Sequence, residues 1–273
     1  MKEINHQTRG MVVLAGAGPG DPELISVKAA RYLQKADIVL TDRLVSPEIL
    51  TTYIPEHVEI VYVGKQGRTG ISTPQKRINE LMIQYAREGK LVVRLKGGDV
   101  SIFSNILDEL QTLIENNIPY EIIPGISAAS GAAAYAGIPL TARNYALGVR
   151  FLTYYTTDAV SETYWTELAN TGDTLVFYMS SETLDELIEH LKKNNITSDK
   201  YIAVVEQATT IMQNVSISSI YNYKKDLEGK KFTSPTLVII GKVVALHEQF
   251  AWLKNSSSHE SYFESQKKIY TPS

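Results

Sequence analysis

The stretch Tyr120–Arg143, YEIIPGISAASGAAAYAGIPLTAR, constrains the fold more than any other part of the chain. A short apolar strand meets a Pro-Gly break and passes into a helix made almost wholly of alanine, glycine and serine. Such a surface offers little to pack with; its use is to let a ligand or another backbone come very close. Taken alone, it reads as a tightly packed core helix. Two further glycine-rich breaks, GAGPGDPE at 16–23 and KGGDVSIF at 96–103, follow apolar strands in the same half. Three such breaks point to a small-molecule cleft at the carboxyl ends of strands.

The rest of the pattern fits that frame. Strands are expected at 11–15, 37–41, 58–62, 91–95 and 120–123, and helices at 22–34, 74–88 and 106–116, with Asp21 as an N-cap and Pro22 at the first helical position. Alternation of this kind implies an α/β fold with a mainly parallel sheet covered on both faces. Residues 139–148 read as a connection. Strands are then expected at 149–155, 174–179, 201–205, 212–218 and 235–240, with helices at 183–193 and 220–227. The expected organisation is an N-terminal α/β domain over 11–140 with a five-stranded sheet, a C-terminal α/β domain over 149–248, and a polar tail over 255–273 that reads as mobile. A chain of 273 residues is long enough for two domains.

Composition narrows the chemistry. The formal net charge of −3 argues against nucleic-acid binding by bulk electrostatics. There is no cysteine, hence no disulfide, thiolate metal site or cysteine nucleophile, and the five histidines show no metal-ligand spacing. No metal is therefore expected. The first ten residues lack an apolar signal core and no apolar run reaches membrane-spanning length, so the chain reads as soluble and cytoplasmic, with no membrane partner.

The glycine loops do not suit a phosphate. Gly16, Gly18 and Gly20 give G-x-G-x-G rather than the dinucleotide G-x-G-x-x-G, and Asp21 places a carboxylate where a pyrophosphate would sit. Pro19 and Pro22 remove two N–H donors. Lys96-Gly97-Gly98-Asp99 lacks P-loop spacing and adds another acid. A ligand without phosphate and with cationic groups fits better, and S-adenosylmethionine is one. Taken singly, Asp21 and Asp99 also read as cap or turn residues.

GAGPGDPELISVKAARYLQKADIVLTDRLVSPEIL, VVRLKGGD, PGISAASGAAAYAGIPLTAR, TLVFYMS, AVVEQATTIMQ and SPTLVIIGKVV, in this order between Val12 and His247, resemble the uroporphyrinogen-III C-methyltransferases of the tetrapyrrole methylase superfamily. The resemblance implies two α/β domains with a cleft between them and a homodimer. It also implies methyl transfer from S-adenosylmethionine to C2 and C7 of uroporphyrinogen III, giving precorrin-2 on the way to sirohaem or cobalamin, with S-adenosylhomocysteine as by-product. Carried over by motif, Pro19, Gly97, Gly98, Asp99, Ile102, Ser127, Ala128, Met179, Ala208 and Thr236 line the donor pocket. Asp42, Asp108 and Arg143 are the candidate catalytic residues: the two acids as bases, Arg143 on the tetrapyrrole side.

One segment departs from the family pattern. Asn105 stands at an arginine position, Asp108 at a glutamate, and Ile106 and Leu107 at glycines. The substrate side is therefore altered while the donor side is kept. Alternatives stay open: a methyltransferase for another tetrapyrrole or corrinoid, one acting on protein or RNA, or a non-catalytic S-adenosylmethionine-binding homologue. An octacarboxylate substrate needs cations, and Arg143, Arg150, Lys65, Arg68 and Lys96 lie near expected loop mouths. Tyr135, Tyr145, Tyr154 and Tyr178 could wall a flat macrocycle or serve as core.

Overall fold

The computed structural model describes residues 10–63, 65–66, 71–155, 160–258 and 260–263. It forms two compact units, one running to Ser127 with Phe263, the other Ala128–Tyr262.

The first unit is a five-stranded, wholly parallel sheet in the order β3-β2-β6-β1-β7. Its strands are β1 (Met11–Gly16), β2 (Ile38–Thr41), β3 (Glu59–Tyr62), β6 (Leu91–Lys96) and β7 (Tyr120–Ile123); a small hairpin, β4 (Lys65–Gln66) and β5 (Ile71–Ser72), lies outside it. The inner strands β1, β2 and β6 are buried on both faces and are largely apolar, with Arg94 and Lys96 the charged exceptions in β6, whereas the edge strands β3 and β7 are more exposed and carry Glu59 and Glu121. Val13, Ala15, Val39, Val93 and Leu95 face Ala29 and Leu33 of α1 (Val27–Leu33) and Ile49 and Leu50 of α2 (Pro47–Tyr53). Val12, Leu14, Ile38, Leu40 and Val92 face Ile78, Leu81 and Met82 of α3 (Gln75–Arg87) and Leu113 of α4 (Ile106–Glu115).

Two local features differ from expectation. The helix expected at 22–34 is split into a 3-10 turn, Pro22–Leu24, capped by Asp21, and α1, capped by Ser26, whose hydroxyl accepts from Ala29 N at 3.2 Å. Two competing caps five residues apart each start their own turn. Helix α2 was not expected, although Ser46-Pro47 at its start is an N-terminal signal.

The second unit is a mixed sheet in the order β11-β10-β12-β9-β8. Its strands are β8 (Val149–Thr153), β9 (Thr174–Tyr178), β10 (Tyr201–Glu206), β11 (Asn214–Ser219) and β12 (Thr236–Gly241), and only β8 and β9 run parallel. One face packs on α6 (Glu162–Asn170), α7 (Leu184–Lys193) and α8 (Tyr223–Asp226) through Trp165, Leu168, Leu187, Ile188, Leu191 and Tyr223. The other packs on the small-residue helix, α5 (Ala128–Tyr135), whose Ala129 and Ala132 meet Val176, Ala203 and Ile239.

The division between units therefore falls at Ser127/Ala128, ahead of the connection expected at 139–148, because α5 gives its alanine face to the second sheet. The segment expected to be mobile after Lys254 is tied down as far as it is described. Asn255 Oδ1 accepts from Val215 N at 2.8 Å, Glu260 O accepts from Gln207 Nε2 at 3.0 Å, and Phe263 is 1% exposed. Polar composition misread it: its Asn and backbone groups act as partners for β11 and the loop after β10. Residues 264–273 of that tail lie outside the described residues. Among the described residues no helix is long and apolar enough to cross a membrane.

Candidate functional site

In the first sheet the connection from β1 leads one way, to β2, and that from β6 leads the other, to β7, so the adjacent ends of β1 and β6 form its topological switch point. The two glycine loops leave from there. Gly18 N donates to Gly98 O at 3.1 Å and Gly98 N to Gly18 O at 2.7 Å, with φ of +81° and +70° that favour glycine. A Cβ on Gly16 would lie 2.6 Å from both Gly98 O and Gly125 N. The small residues of these loops thus serve backbone-on-backbone contact, and those of α5 serve helix-on-sheet contact.

Acids close the loop mouths. Asp99, 8% exposed, accepts Ser101 N at 2.8 Å and the Ser101 hydroxyl on one oxygen and Gly125 N at 2.9 Å on the other. Asp21 accepts Glu23 N at 2.8 Å. The N–H groups that a phosphate would need are held by carboxylates, so the residues present fit a phosphate-free, cationic ligand and not a nucleotide phosphate. Pro19 and Ile102 are half-buried beside these loops, and Ser127 is buried at the end of the third.

Asp42, half-buried at the end of β2, accepts Leu44 N at 2.9 Å. Its charge bears on the Lys96 ammonium at the end of β6. Burial pulls the Lys96 pKa down, the like charge of Arg94 adds to this, and Glu109 and Asp42 oppose it. Glu109 was not anticipated. It is completely buried and takes Arg94 Nε at 3.0 Å and Lys96 Nζ at 2.8 Å. The signal was available: two cations in a central strand with both faces buried require a carboxylate partner. Asp108, one residue away, is exposed and lines a groove with Gln75, Lys76 and Asn79 of α3. Asn105 precedes α4 in the left-handed conformation, φ +55°, without a side-chain cap bond.

In the second unit the register pairs Leu237 with Tyr178 and Thr236 with Glu206, which places Met179, Ala208 and Thr236 at one end of the sheet. Met179 holds φ +55° and is 53% exposed, its sulfur accepting from the Tyr155 hydroxyl at 3.2 Å. Gln207 and Thr209, flanking Ala208, also sit at positive φ, +47° and +66°. Such residues need their surroundings to hold them. Here Gln207 N donates to Pro235 O at 2.7 Å, and Thr209 N donates to Gln213 Oε1 at 2.8 Å. Thr236 donates its hydroxyl to Thr233 O at 3.1 Å, and Ala128 begins α5.

Of the candidate cations, Arg143 is exposed in the turn closed by Ala142 and Ala146 and makes no ion pair or hydrogen bond among the described residues. Two others are corrected. Arg150 is committed to Glu167 at 2.5 Å and Asp173 at 2.8 Å, and Lys96 to Glu109, so neither is free for a ligand carboxylate. Arg68 and the Lys65 side chain lie outside the described residues. Among the tyrosines, Tyr154 is core, edge-on to Trp165, and the Tyr178 hydroxyl accepts from Ala129 N at 3.1 Å at the start of α5. Tyr135 packs edge-on against Trp252, and Tyr145 is exposed.

Comparison with known proteins places these features. Residues 11–223 match the family model for tetrapyrrole (corrin/porphyrin) methylases. A siroheme synthase of Acinetobacter baylyi is 46% identical over 245 residues, covering 90% of this chain and 53% of that protein, so the chain spans about half the length of this relative. A solved uroporphyrin-III C-methyltransferase of Thermus thermophilus is 32% identical with a TM-score of 0.73, covering 90% of this chain and 98% of that one. A structure of the Thermus protein complexed with S-adenyl homocysteine is 31% identical with a TM-score of 0.72, covering 87% of this chain and all of that one. With a family-model match over residues 11–223 and a 32% identical structure matched over 90% of its length, the chain belongs to the tetrapyrrole (corrin/porphyrin) methylases.

Proposed function

We propose that the chain methylates uroporphyrinogen III at C2 and C7, with S-adenosylmethionine as donor, giving precorrin-2 for sirohaem or cobalamin. The observation that carries this reading is the similarity over the whole length of a structure bearing S-adenyl homocysteine. The acid-closed loop mouths support the donor assignment, since they turn away phosphate and suit a sulfonium nucleoside.

When bound, S-adenosylmethionine supplies an electrophilic methyl group. The candidate donor-binding residues are Pro19, Gly97, Gly98, Asp99, Ile102 and Ser127 in the first unit and Ala128, Met179, Ala208 and Thr236 in the second. Asp99 has both oxygens in loop hydrogen bonds, so its part is to shape Gly97–Ser101 and to lend a negative field. The pyrrole carbons of the substrate are nucleophilic without prior deprotonation, and the protein's main contribution is to hold them in line, which is worth up to about 7–11 kcal/mol. Attack at these already substituted carbons leaves the macrocycle cationic, and a base must then remove a proton from elsewhere on it as it rearranges to the neutral product. Asp42 fills that role, with a half-buried carboxylate at a strand end beside the Lys96 ammonium. Arg143, exposed and unpaired among the described residues, is suited to a substrate carboxylate.

The protein is further proposed to act as a cytoplasmic homodimer, which light scattering tests: a monomer mass at all concentrations would contradict the dimer. Incubation with uroporphyrinogen III and methyl-labelled S-adenosylmethionine tests the activity. Label in a dimethylated product is expected; donor binding without transfer would favour the second reading, a non-catalytic homologue, for which Asn105 at a family arginine position speaks.

A further inference from the structure

Glu109 uses its two oxygens on two different cations, Arg94 at 3.0 Å and Lys96 at 2.8 Å, and all three side chains are at most 5% exposed. A buried ionic cluster adds little net stability over apolar residues of the same volume, so its use lies in geometry. Lys96 ends β6 and Glu109 lies in the first turn of α4, so their ion pair closes segment 97–108 at its two ends. The middle of that segment is pinned by Asp99 to Gly125 N at 2.9 Å and by the Ser104 hydroxyl to the Val100 carbonyl. Phe103 and Asn105 hold φ of +50° and +55° between these pins, a conformation non-glycine residues keep only under constraint. Asn105 offers α4 no side-chain cap, which leaves Glu109 to anchor the helix start.

We propose that Glu109 is a positioning residue for methyl transfer: by clamping Arg94 and Lys96 it holds Gly97–Ile102 in the shape that takes the methyl donor. This deepens, and rests on, the reading of that segment as donor-binding. It also moves the functional acid of this motif from Asp108, which faces α3, to its neighbour.

The test measures S-adenosylhomocysteine affinity by calorimetry, steady-state methyl transfer and melting temperature for the full chain. Glu109→Gln keeps the shape but leaves one buried positive charge too many. Its dissociation constant for S-adenosylhomocysteine should rise at least tenfold, with a matching rise in the donor KM. Glu109→Asp keeps the charge one methylene short and should recover part of the affinity. Lys96→Met/Glu109→Gln removes the surplus charge and leaves Arg94 an amide acceptor; it should regain melting temperature without regaining affinity, and it carries the test if Glu109→Gln fails to fold. A double variant with wild-type affinity would reduce Glu109 to a structural role and overturn the proposal. So would loss of affinity in Asp108→Asn with Glu109→Gln unaffected. Wild-type protein that does not bind S-adenosylhomocysteine would instead sink the donor reading itself.

Discussion

Gly16→Ala separates the two uses a small residue can have in this fold. The added Cβ would sit 2.6 Å from Gly98 O and from Gly125 N, where ordinary contact begins at 3.4 Å. Its three nearest neighbours are all backbone, so no side chain can swing aside. Relief requires the ends of β1, β6 and β7 to part by roughly 0.8 Å. That stretches the Gly18–Gly98 pair, at 3.1 and 2.7 Å, and the Asp99–Gly125 bond, at 2.9 Å. Overpacking alone costs about 1–3 kcal/mol, and a neutral hydrogen bond contributes about 1 kcal/mol with charge-assisted ones about 1.5–3. Since these bonds weaken rather than vanish, the sum is about 2–4 kcal/mol. At about 3 °C per kcal/mol for a chain of this size, the melting temperature of the first unit should fall by about 6–12 °C. Calorimetric melting reads this directly. Gly172→Ala is the control, since its Cβ would meet nothing within 4 Å; it should change stability by less than about 1 kcal/mol. Unchanged melting of Gly16→Ala would refute the close-contact argument. Unchanged melting together with lost S-adenosylhomocysteine binding would mean that the glycine makes room for ligand instead.

Arg143→Ala should nearly eliminate methylation of uroporphyrinogen III while leaving S-adenosylhomocysteine affinity within about twofold, because a lost charge-assisted contact costs about 2–5 kcal/mol and Arg143 is bonded to nothing else among the described residues; full activity would remove it from the substrate side. Asn105→Arg should lower or leave unchanged the KM for uroporphyrinogen III if the substrate takes the family pose, whereas a raised KM would indicate a helix start rebuilt for another macrocycle. Lys200 is buried with its ammonium on the Ala169 and Thr171 carbonyls, at 2.9 and 2.7 Å, and burial holds its pKa below 10.5. As pH rises through that lowered value toward 10.5 the folded chain releases its proton first, so the unfolded state binds more protons and stability rises. The melting-temperature gap between wild type and Lys200→Met should therefore widen from pH ~8 to pH ~10.5; a flat or narrowing gap would contradict the burial argument.

What the sequence determined by itself is whatever local rules encode. Apolar runs such as Met11–Ala15, and Leu91–Leu95 with Arg94 as its one exception, state a strand buried on both faces, and the 3.6-residue stripe Ile78, Leu81, Met82 states a helix on one face of a sheet; all of these lie where expected. The glycine breaks were legible for the same reason, since turn chemistry is local. Tertiary structure decided which partner each exceptional residue met. The alanines of α5 could have faced a ligand or another backbone, and they face the second sheet, carrying the unit boundary to Ser127/Ala128. Arg150 and Lys96 looked like ligand cations until their carboxylates came from 17 or more residues away for Arg150 and 13 away for Lys96. Polar spacing in the tail could not say that Gln207, 53 residues before Glu260, would hold it. Above all, Asp108 and Glu109 differ by one step on a helix, about 100° of rotation. Motif position alone cannot choose between them. The choice fell to Glu109 because Arg94 and Lys96, buried in the central strand of the sheet, left no room for an α4 that turned any other acid inward.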